Sequence, residues 1–183
     1  MVDNSLGLQG SRLYDYQVRL ESRWTSRLFT VLGGERVELK DAALAGGLPK
    51  REIDSNRAMA AVNAIVTKQL GFFLRYLYSD AEGSGGVFDG LSVPRVPDHV
   101  ASGGVVWISP LYVKVMLTET YIGEQYIDYS NEEKLSSFWL TSLSASWEPF
   151  QKHGFIGLSV NNLFNEDDPA PGRSAYVTLE YRF

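Results

Sequence analysis

The chain has no cysteine among its 183 residues and only two histidines, His99 and His153. Without thiols there is no disulfide framework, thiolate zinc site, iron–sulfur cluster or cysteine nucleophile, and two imidazoles are too few for a multi-histidine metal centre. Cationic excess is missing too. Seventeen Lys and Arg against 22 Asp and Glu leave a net charge of −5, the wrong sign for a nucleic acid held through its phosphates. Long apolar runs are absent: the uncharged stretch 103–113 is broken by Pro110 and followed by Lys114, too short to cross a bilayer as a helix. Residues 1–7 have neither a basic start nor an apolar core and do not read as a secretory signal. The expectation from that start is a cytoplasmic protein or a chain lacking its natural beginning.

What is present favours strands and turns: 17 Gly, 13% aromatic residues and many Ser and Thr. Between 14 and 24, Tyr14, Tyr16, Val18, Leu20 and Trp24 share one parity, and Asp15, Gln17, Arg19, Glu21 and Arg23 the other. That is a strand with one apolar and one charged face. The division returns at Leu111, Val113, Val115 and Leu117, at Leu143, Ala145 and Trp147, at Ile156, Leu158 and Val160, and at Val177, Leu179, Tyr181 and Phe183. Nine strands follow, at about 13–25, 27–40, 56–68, 71–80, 99–109, 111–126, 136–149, 154–164 and 174–183. Most have roughly the nine to eleven residues that a tilted strand needs to cross a membrane. Short links near 25–26, 68–70, 109–110 and 150–153 alternate with long polar ones at 41–55, 81–98, 127–135 and 165–173. An up-and-down transmembrane barrel has this asymmetry between its rims. Trp24, Trp107, Trp147 and Phe183 fall near short-turn ends and Tyr14, Tyr126 and Tyr176 near long-loop ends, as two aromatic girdles would. The expected fold is all-β: an antiparallel up-and-down transmembrane β-barrel with nine or ten strands present, part of a larger barrel.

The last stretch carries Asn162-Leu163-Phe164 before an acidic run, then Pro171-Gly172-Arg173 opening a final strand that ends on Phe183. Upstream stand Tyr121-Ile-Gly-Glu-Gln-Tyr-Ile-Asp-Tyr-Ser-Asn131 and Val96-Pro97-Asp98-His99. In this order the motifs resemble the carboxyl end of a TonB-dependent outer-membrane receptor over residues 96–183, whereas residues 1–95 match only in alternation. The resemblance implies a bacterial outer-membrane location and energised uptake of a scarce ligand, a metal chelate, vitamin or oligosaccharide. It implies as partners the membrane lipid, the barrel-assembly machinery, the TonB complex, and the remainder of a barrel of about twenty-two strands with its plug. Nothing in the chain resembles a plug, a TonB box or a signal sequence, and bacterial single-chain barrels have even strand numbers. The chain then reads as the C-terminal part of a larger barrel, a split-off gene product, or a small barrel in which residues 1–12 add a loop or partial tenth strand.

Candidate residues fall into two groups. Asp15, Arg19, Glu21, Arg23, Arg75, Lys114, Glu180 and Arg182 form a candidate polar wall of the lumen, which pairs internally or tunes selectivity. Val177, Leu179, Tyr181 and Phe183 face lipid, and by resemblance form the signal read by the assembly machinery. No cofactor and no catalysis are expected: Asp98-His99 has no identifiable nucleophile beside it. Asp80-Ala-Glu-Gly-Ser-Gly-Gly86 reads as a loop tip and not a phosphate cradle, since no Lys and no helix follow it. Glu166-Asp167-Asp168 reads as a solvated acidic loop. Two alternatives stay open: a stand-alone small outer-membrane barrel with a structural or narrow-pore role, and a soluble lipocalin-like barrel with an apolar interior.

Overall fold

The computed structural model describes residues 12–42, 51–149, 154–167 and 169–181. Alternating apolar and polar residues, rich in β-branched and aromatic types, favour extended backbone. Eleven strands form: β1 (Arg12–Arg23), β2 (Leu28–Ala42), β3 (Arg51–Ile65), β4 (Leu70–Ser84), β5 (His99–Ile108), β6 (Val113–Ile122), β7 (Gln125–Tyr126), β8 (Lys134–Leu135), β9 (Phe138–Trp147), β10 (Gly154–Asn161) and β11 (Ser174–Tyr181). Nine of them make one antiparallel meander, β1-β2-β3-β4-β5-β6-β9-β10-β11, while β7 and β8 pair by themselves in a loop. Among the described residues no helix is long and apolar enough to cross a membrane.

The short connections are capped by hydroxyls, as the turn chemistry of Ser and Thr allows. Thr67 Oγ1 accepts from the backbone N–H of Gln69 and Leu70, Thr25 Oγ1 from Arg27, and Ser109 Oγ from Leu111. At the other rim β2, β3 and β4 run to 15 residues each. The expected loops at 41–55 and 81–98 are therefore shorter than the sequence suggested: 51–55 and 81–84 are strand. The glycine-rich tip is corrected likewise. Only Gly85 and Gly86 leave the strand, both at positive φ and leading into a one-turn 3₁₀ helix, Gly86–Phe88. The strand expected at 111–126 ends at Ile122.

The register sorts the side chains, because residues paired across an antiparallel ladder share a face. On one face the row Val18–Gly34–Ala58–Tyr78–His99 closes an apolar zone. The next rows towards the long loops, Tyr16–Arg36–Asn56–Asp80 and Tyr14–Glu38–Asp54–Glu82, turn polar from β2 onward. Farther round, Trp107–Val115–Ala145–Leu158–Val177 continues the apolar zone. The opposite face carries Arg19, Arg75, Lys114 and Glu180.

These rows also give the slant of the strands. The row Ser22–Thr30–Val62–Leu74–Gly103–Glu119–Thr141 lies one residue above the short-turn end of β1 and six above that of β9. Five residues of slide over six ladders, at ~3.3 Å per residue and ~4.8 Å per ladder, make a tilt of about 30°. That is close to the tilt a closed barrel requires.

Among the described residues no globular core forms. Ala81 is the one buried hydrophobic residue among the described ones, and the solvent-accessible area is 12906 Å². A compact monomer of 20.4 kDa would expose only about 8,800 Å². The sheet is a barrel wall whose edges β1 and β11 do not pair with each other.

Two strand glycines differ in what surrounds them. A Cβ on Gly104 would lie 2.5 Å from the Leu117 carbonyl oxygen and 2.6 Å from the Phe73 ring, whereas one on Gly34 meets nothing closer than 3.7 Å. Gly104→Val is expected to destabilise the folded form by roughly 1–3 kcal/mol and Gly34→Ala to leave it nearly unchanged. Heat-modifiable migration in a denaturant series measures both.

Candidate functional site

The register gathers the expected polar wall on one face: Asp15, Arg19, Glu21 and Arg23 on β1, Arg75 on β4, Lys114 on β6 and Glu180 on β11. Arg182 lies outside the described residues. On β1–β3 the wall is internally paired. Arg19 Nε bonds Glu21 Oε1 at 2.6 Å, and Arg57 Nη1 stands 3.4 Å from Glu35 Oε2. Gln17 Nε2 donates to both Asp15 and Glu35, and the Arg23 guanidinium lies over Phe29. Such exposed pairs contribute at most about 1 kcal/mol each, so they arrange charge more than they hold the sheet. Gly33 makes room for Met59, which covers it beside Leu77.

Val177, Leu179 and Tyr181 lie on the opposite, apolar face of β11, across from Leu158, Ile156 and Gly154, and all three are well exposed. Phe183 lies outside the described residues. The expected girdles are revised in part. Trp107 and Trp147 stand on the apolar face near the short turns, and Tyr14 on the same face near the long loops. Tyr176, however, pairs with Ser159 and so points to the polar side, and Tyr126 belongs to β7. Besides Tyr14, aromatic residues at the long-loop end of the apolar face include Tyr76, Tyr78, Tyr121 and Trp139, with the Tyr121 and Trp139 rings 5.0 Å apart. His99 sits among them, sharing a 2.7 Å hydrogen bond between its Nδ1 and the Tyr76 hydroxyl. His153 is outside the described residues.

Sequence reading missed the polar anchors of the outer loops. Asp128 accepts from the backbone N–H of Ser130, Glu132 and Glu133 and from the Ser130 hydroxyl. Those donors hold its carboxyl down at a pKa of about 2. Asn131, at positive φ, clamps the neighbouring loop by accepting from Ser92 N–H at 2.7 Å and donating to Ser92 O at 3.0 Å. Around this clamp Phe88 packs edge-on to Tyr129, and Leu91 and Val93 help enclose a small cleft above Ile53 and Gly83. The 85–98 segment thus folds against the outer end of the polar face, where Ser55, Ser79 and Ala81 are buried. The acidic run has a comparable anchor. Asn162, at φ 51° and 1% exposed, accepts from Glu166 N–H and donates to Glu166 O and Pro171 O. That explains the Asn of the Asn-Leu-Phe motif: the turn needs a residue that tolerates the left-handed region and supplies both donor and acceptor. Asp168 lies outside the described residues, and no metal-binding group of acidic or His side chains occurs among the described ones.

A family model described as "TonB dependent receptor-like, beta-barrel" matches residues 50–163, more than half of the chain and well upstream of residue 96, where the motif resemblance begins. Solved structures agree. The ferric yersiniabactin uptake receptor FyuA from Yersinia pestis matches with a TM-score of 0.70 and 16% identity over 92% of this chain and 28% of that one. The ferric preacinetobactin receptor BauA from Acinetobacter baumannii matches at 0.70 and 15%, over 92% and 29%. The FrpB iron transporter from Neisseria meningitidis, as apoprotein, matches at 0.74 and 15%, over 97% and 32%. At such identities the likeness is one of fold, and the chain spans about three tenths of the length of these structures.

Two anchors generate predictions. Because Asp128 titrates at about 2 in the folded loop against 3.8 ordinarily, its contribution is complete above about pH 4 and is lost as pH falls through its folded value. Amide protection at 128–133, measured against the intrinsic exchange rate at each pH, is expected to fall between about pH 4 and pH 2, and Asp128→Asn to remove that pH dependence. Asn162→Ala strands two carbonyls and an N–H, and is expected to cost roughly 1–3 kcal/mol. Asn162→Gly relieves the backbone but not the hydrogen bonds, so it should recover only part of the loss in a urea titration.

Proposed function

The chain belongs to the TonB-dependent receptor-like β-barrel family, and from that premise we propose that it is the C-terminal part of the wall of an outer-membrane receptor. The complete receptor takes up a scarce ligand, a metal chelate in the first place, using energy delivered through the TonB complex. It is a transporter and not an enzyme. The observation that carries this reading is the division of polarity by register. One face has an apolar zone edged by Trp107 and Trp147 near the short turns and by Tyr76, Tyr78, Tyr121 and Trp139 near the long loops; the other carries Arg19, Glu21, Arg75 and Lys114. A bilayer selects the first face and a water-filled lumen the second.

Backbone groups at a sheet edge inside hydrocarbon must be paired, so the free edges of β1 and β11 call for the remaining strands of the barrel. FyuA, BauA and FrpB are named for ferric chelates or iron, and a copper transporter, OprC, has the same fold over this region; metal-chelate uptake follows by analogy of fold. In this reading the apolar face meets outer-membrane lipid, the polar wall lines the lumen around a plug, and Val177, Leu179, Tyr181 and Phe183 are read by the barrel-assembly machinery.

An antibody against residues 154–183 tests the reading in outer-membrane fractions of the source cell. A band several times 20.4 kDa is expected, with loss of growth on chelated iron when the gene is deleted. A heat-modifiable band at 20.4 kDa would instead make the protein a small or partner-completed barrel and overturn energised uptake. Tyr181→Ser combined with Phe183→Ser is expected to lower the amount of folded barrel in the outer membrane severalfold, measured by unboiled gel migration; unchanged insertion would remove the assembly role.

A further inference from the structure

The polar face is not uniform. On β1–β3 it carries Arg19, Arg23 and Arg57 with Asp15, Glu21 and Glu35, three charges of each sign, of which Arg19 pairs with Glu21 and Arg57 with Glu35. From β4 to β10 the same face carries Arg75 and Lys114 and, among the described residues of those strands, not one carboxylate. Asp80, Glu82 and Glu119 fall on the other side of the sheet by register. Neither Arg75 nor Lys114 has an ion-pair partner among the described residues: Arg75 lies over the Phe73 ring, and Glu148, in the turn beyond β9, makes no pair with Lys114. Around the two cations the face carries hydroxyls at Ser102, Thr118, Thr120 and Ser142, interspersed with Phe73, Val106 and Met116.

An open cleft on this half lies one residue above the short-turn end of β6. Lys114 stands at the edge of a cleft of about 240 Å³. Gly157 floors it, and a Cβ there would lie 2.9 Å from the Phe155 ring, which covers the glycine on one side. Ser144, Ser146, Ser159 and Thr178 complete the lining, and none of their hydroxyls has a hydrogen-bond partner among the described residues. One ammonium and four hydroxyls, with no acid among the lining side chains and Glu180 as the next residue along that face of β11, form the donor set of an oxyanion site.

We propose that β4–β10 form an anion-selective half of the lumen wall, and that the cleft at Lys114 binds a carboxylate-type oxyanion on a polyanionic solute passing the short-turn end of the barrel. This deepens the uptake reading and rests on it for the polar face being the lumen. The substrate class it names is a polycarboxylate, as the free ligand or its metal chelate.

The complete receptor, on a cysteine-free background and reconstituted in liposomes, tests this through Ser144→Cys, with Ser159→Cys as a second variant should the first fail to give the folded, heat-modifiable band. Thiol reaction rates with a sulfonate-bearing and a trimethylammonium-bearing methanethiosulfonate are each divided by the rate for free cysteine. The expected result is a roughly three- to sevenfold preference for the sulfonate, the ratio given by a positive potential of about half to one kT acting on reagents of opposite charge. That preference disappears in Lys114→Gln, and the sulfonate reaction is slowed by citrate but not by chloride at equal ionic strength. Equal normalised rates, or no effect of citrate, overturn the anion site while leaving the lumen assignment standing. Labelling only by a lipid-soluble maleimide, with neither charged reagent reacting, overturns the lumen assignment itself and the anion site with it.

Discussion

The constraint on which everything else depends is that backbone N–H and C=O groups in hydrocarbon have no water to fall back on. A chain whose residues alternate between lipid and lumen meets that constraint only by pairing every strand with its neighbours, and the register of pairing then decides every other property of the wall. Here the ladders are continuous from β1 to β11, and the slide of about 30° between rows and strand ends means that the next strands must also be staggered. A slip of one residue anywhere would exchange Arg19 with Leu20 and Lys114 with Val113, moving charges into lipid. The short hydroxyl-capped turns guard against such slips. Thr67 with Gln69 and Leu70, and Ser109 with Leu111, fix the link length from within.

Once register is fixed, polarity and height are separate variables. The three longest strands, β2–β4, extend beyond the last apolar row by the rows through Asp80 and Glu82, and the segment after them turns back over the polar face, tied by Asn131 to the loop of β7 and β8. Asp128 and Asn131 make the outer loops a structured vestibule held by side-chain-to-backbone hydrogen bonds. Charge on the polar face follows a different division. It is balanced and self-paired on β1–β3, and cationic and hydroxylated from β4 to β10, a difference that exists only because pairing keeps each parity on one side.

Strand number, strand order and the assignment of charged residues to one face were legible because they rest on a period of two, which survives in the sequence wherever one face is lipid. The Val177, Leu179 and Tyr181 set and the Asp15, Arg19, Glu21 and Arg23 set needed no more than that. Strand ends were not legible. Towards the long loops Asp54 and Glu82 remain in the ladder but no longer show a hydrophobic alternation, so 51–55 and 81–84 read as loop. Tyr176 failed for the converse reason: a tyrosine near a loop suggested a girdle, while its parity put it opposite Ser159. The anchors Asp128, Asn131 and Asn162 left one sequence trace, an Asx residue within a polar turn, and nothing in that trace tells a satisfied anchor from a solvated loop residue.

The one carboxylate on the apolar face short of the outer aromatic row tests whether this account is consistent. Glu119 lies one row below Tyr121 and Trp139, opposite Gly103, and accepts a 2.6 Å hydrogen bond from the Thr141 hydroxyl. An unpaired charge in hydrocarbon would contradict a lipid-facing assignment. The wall, however, is not of even height: β10 ends at Asn161, and the Leu163 N–H bonds the carbonyl of Thr141, which brings the polar turn 162–167 alongside the pair. Where β10 and β11 have 8 residues against 15 in β2–β4, the polar rim comes down to the level of Glu119. In the proposed orientation the carboxylate belongs to that lowered rim, and the same shortening sets the Asn162 anchor beside it.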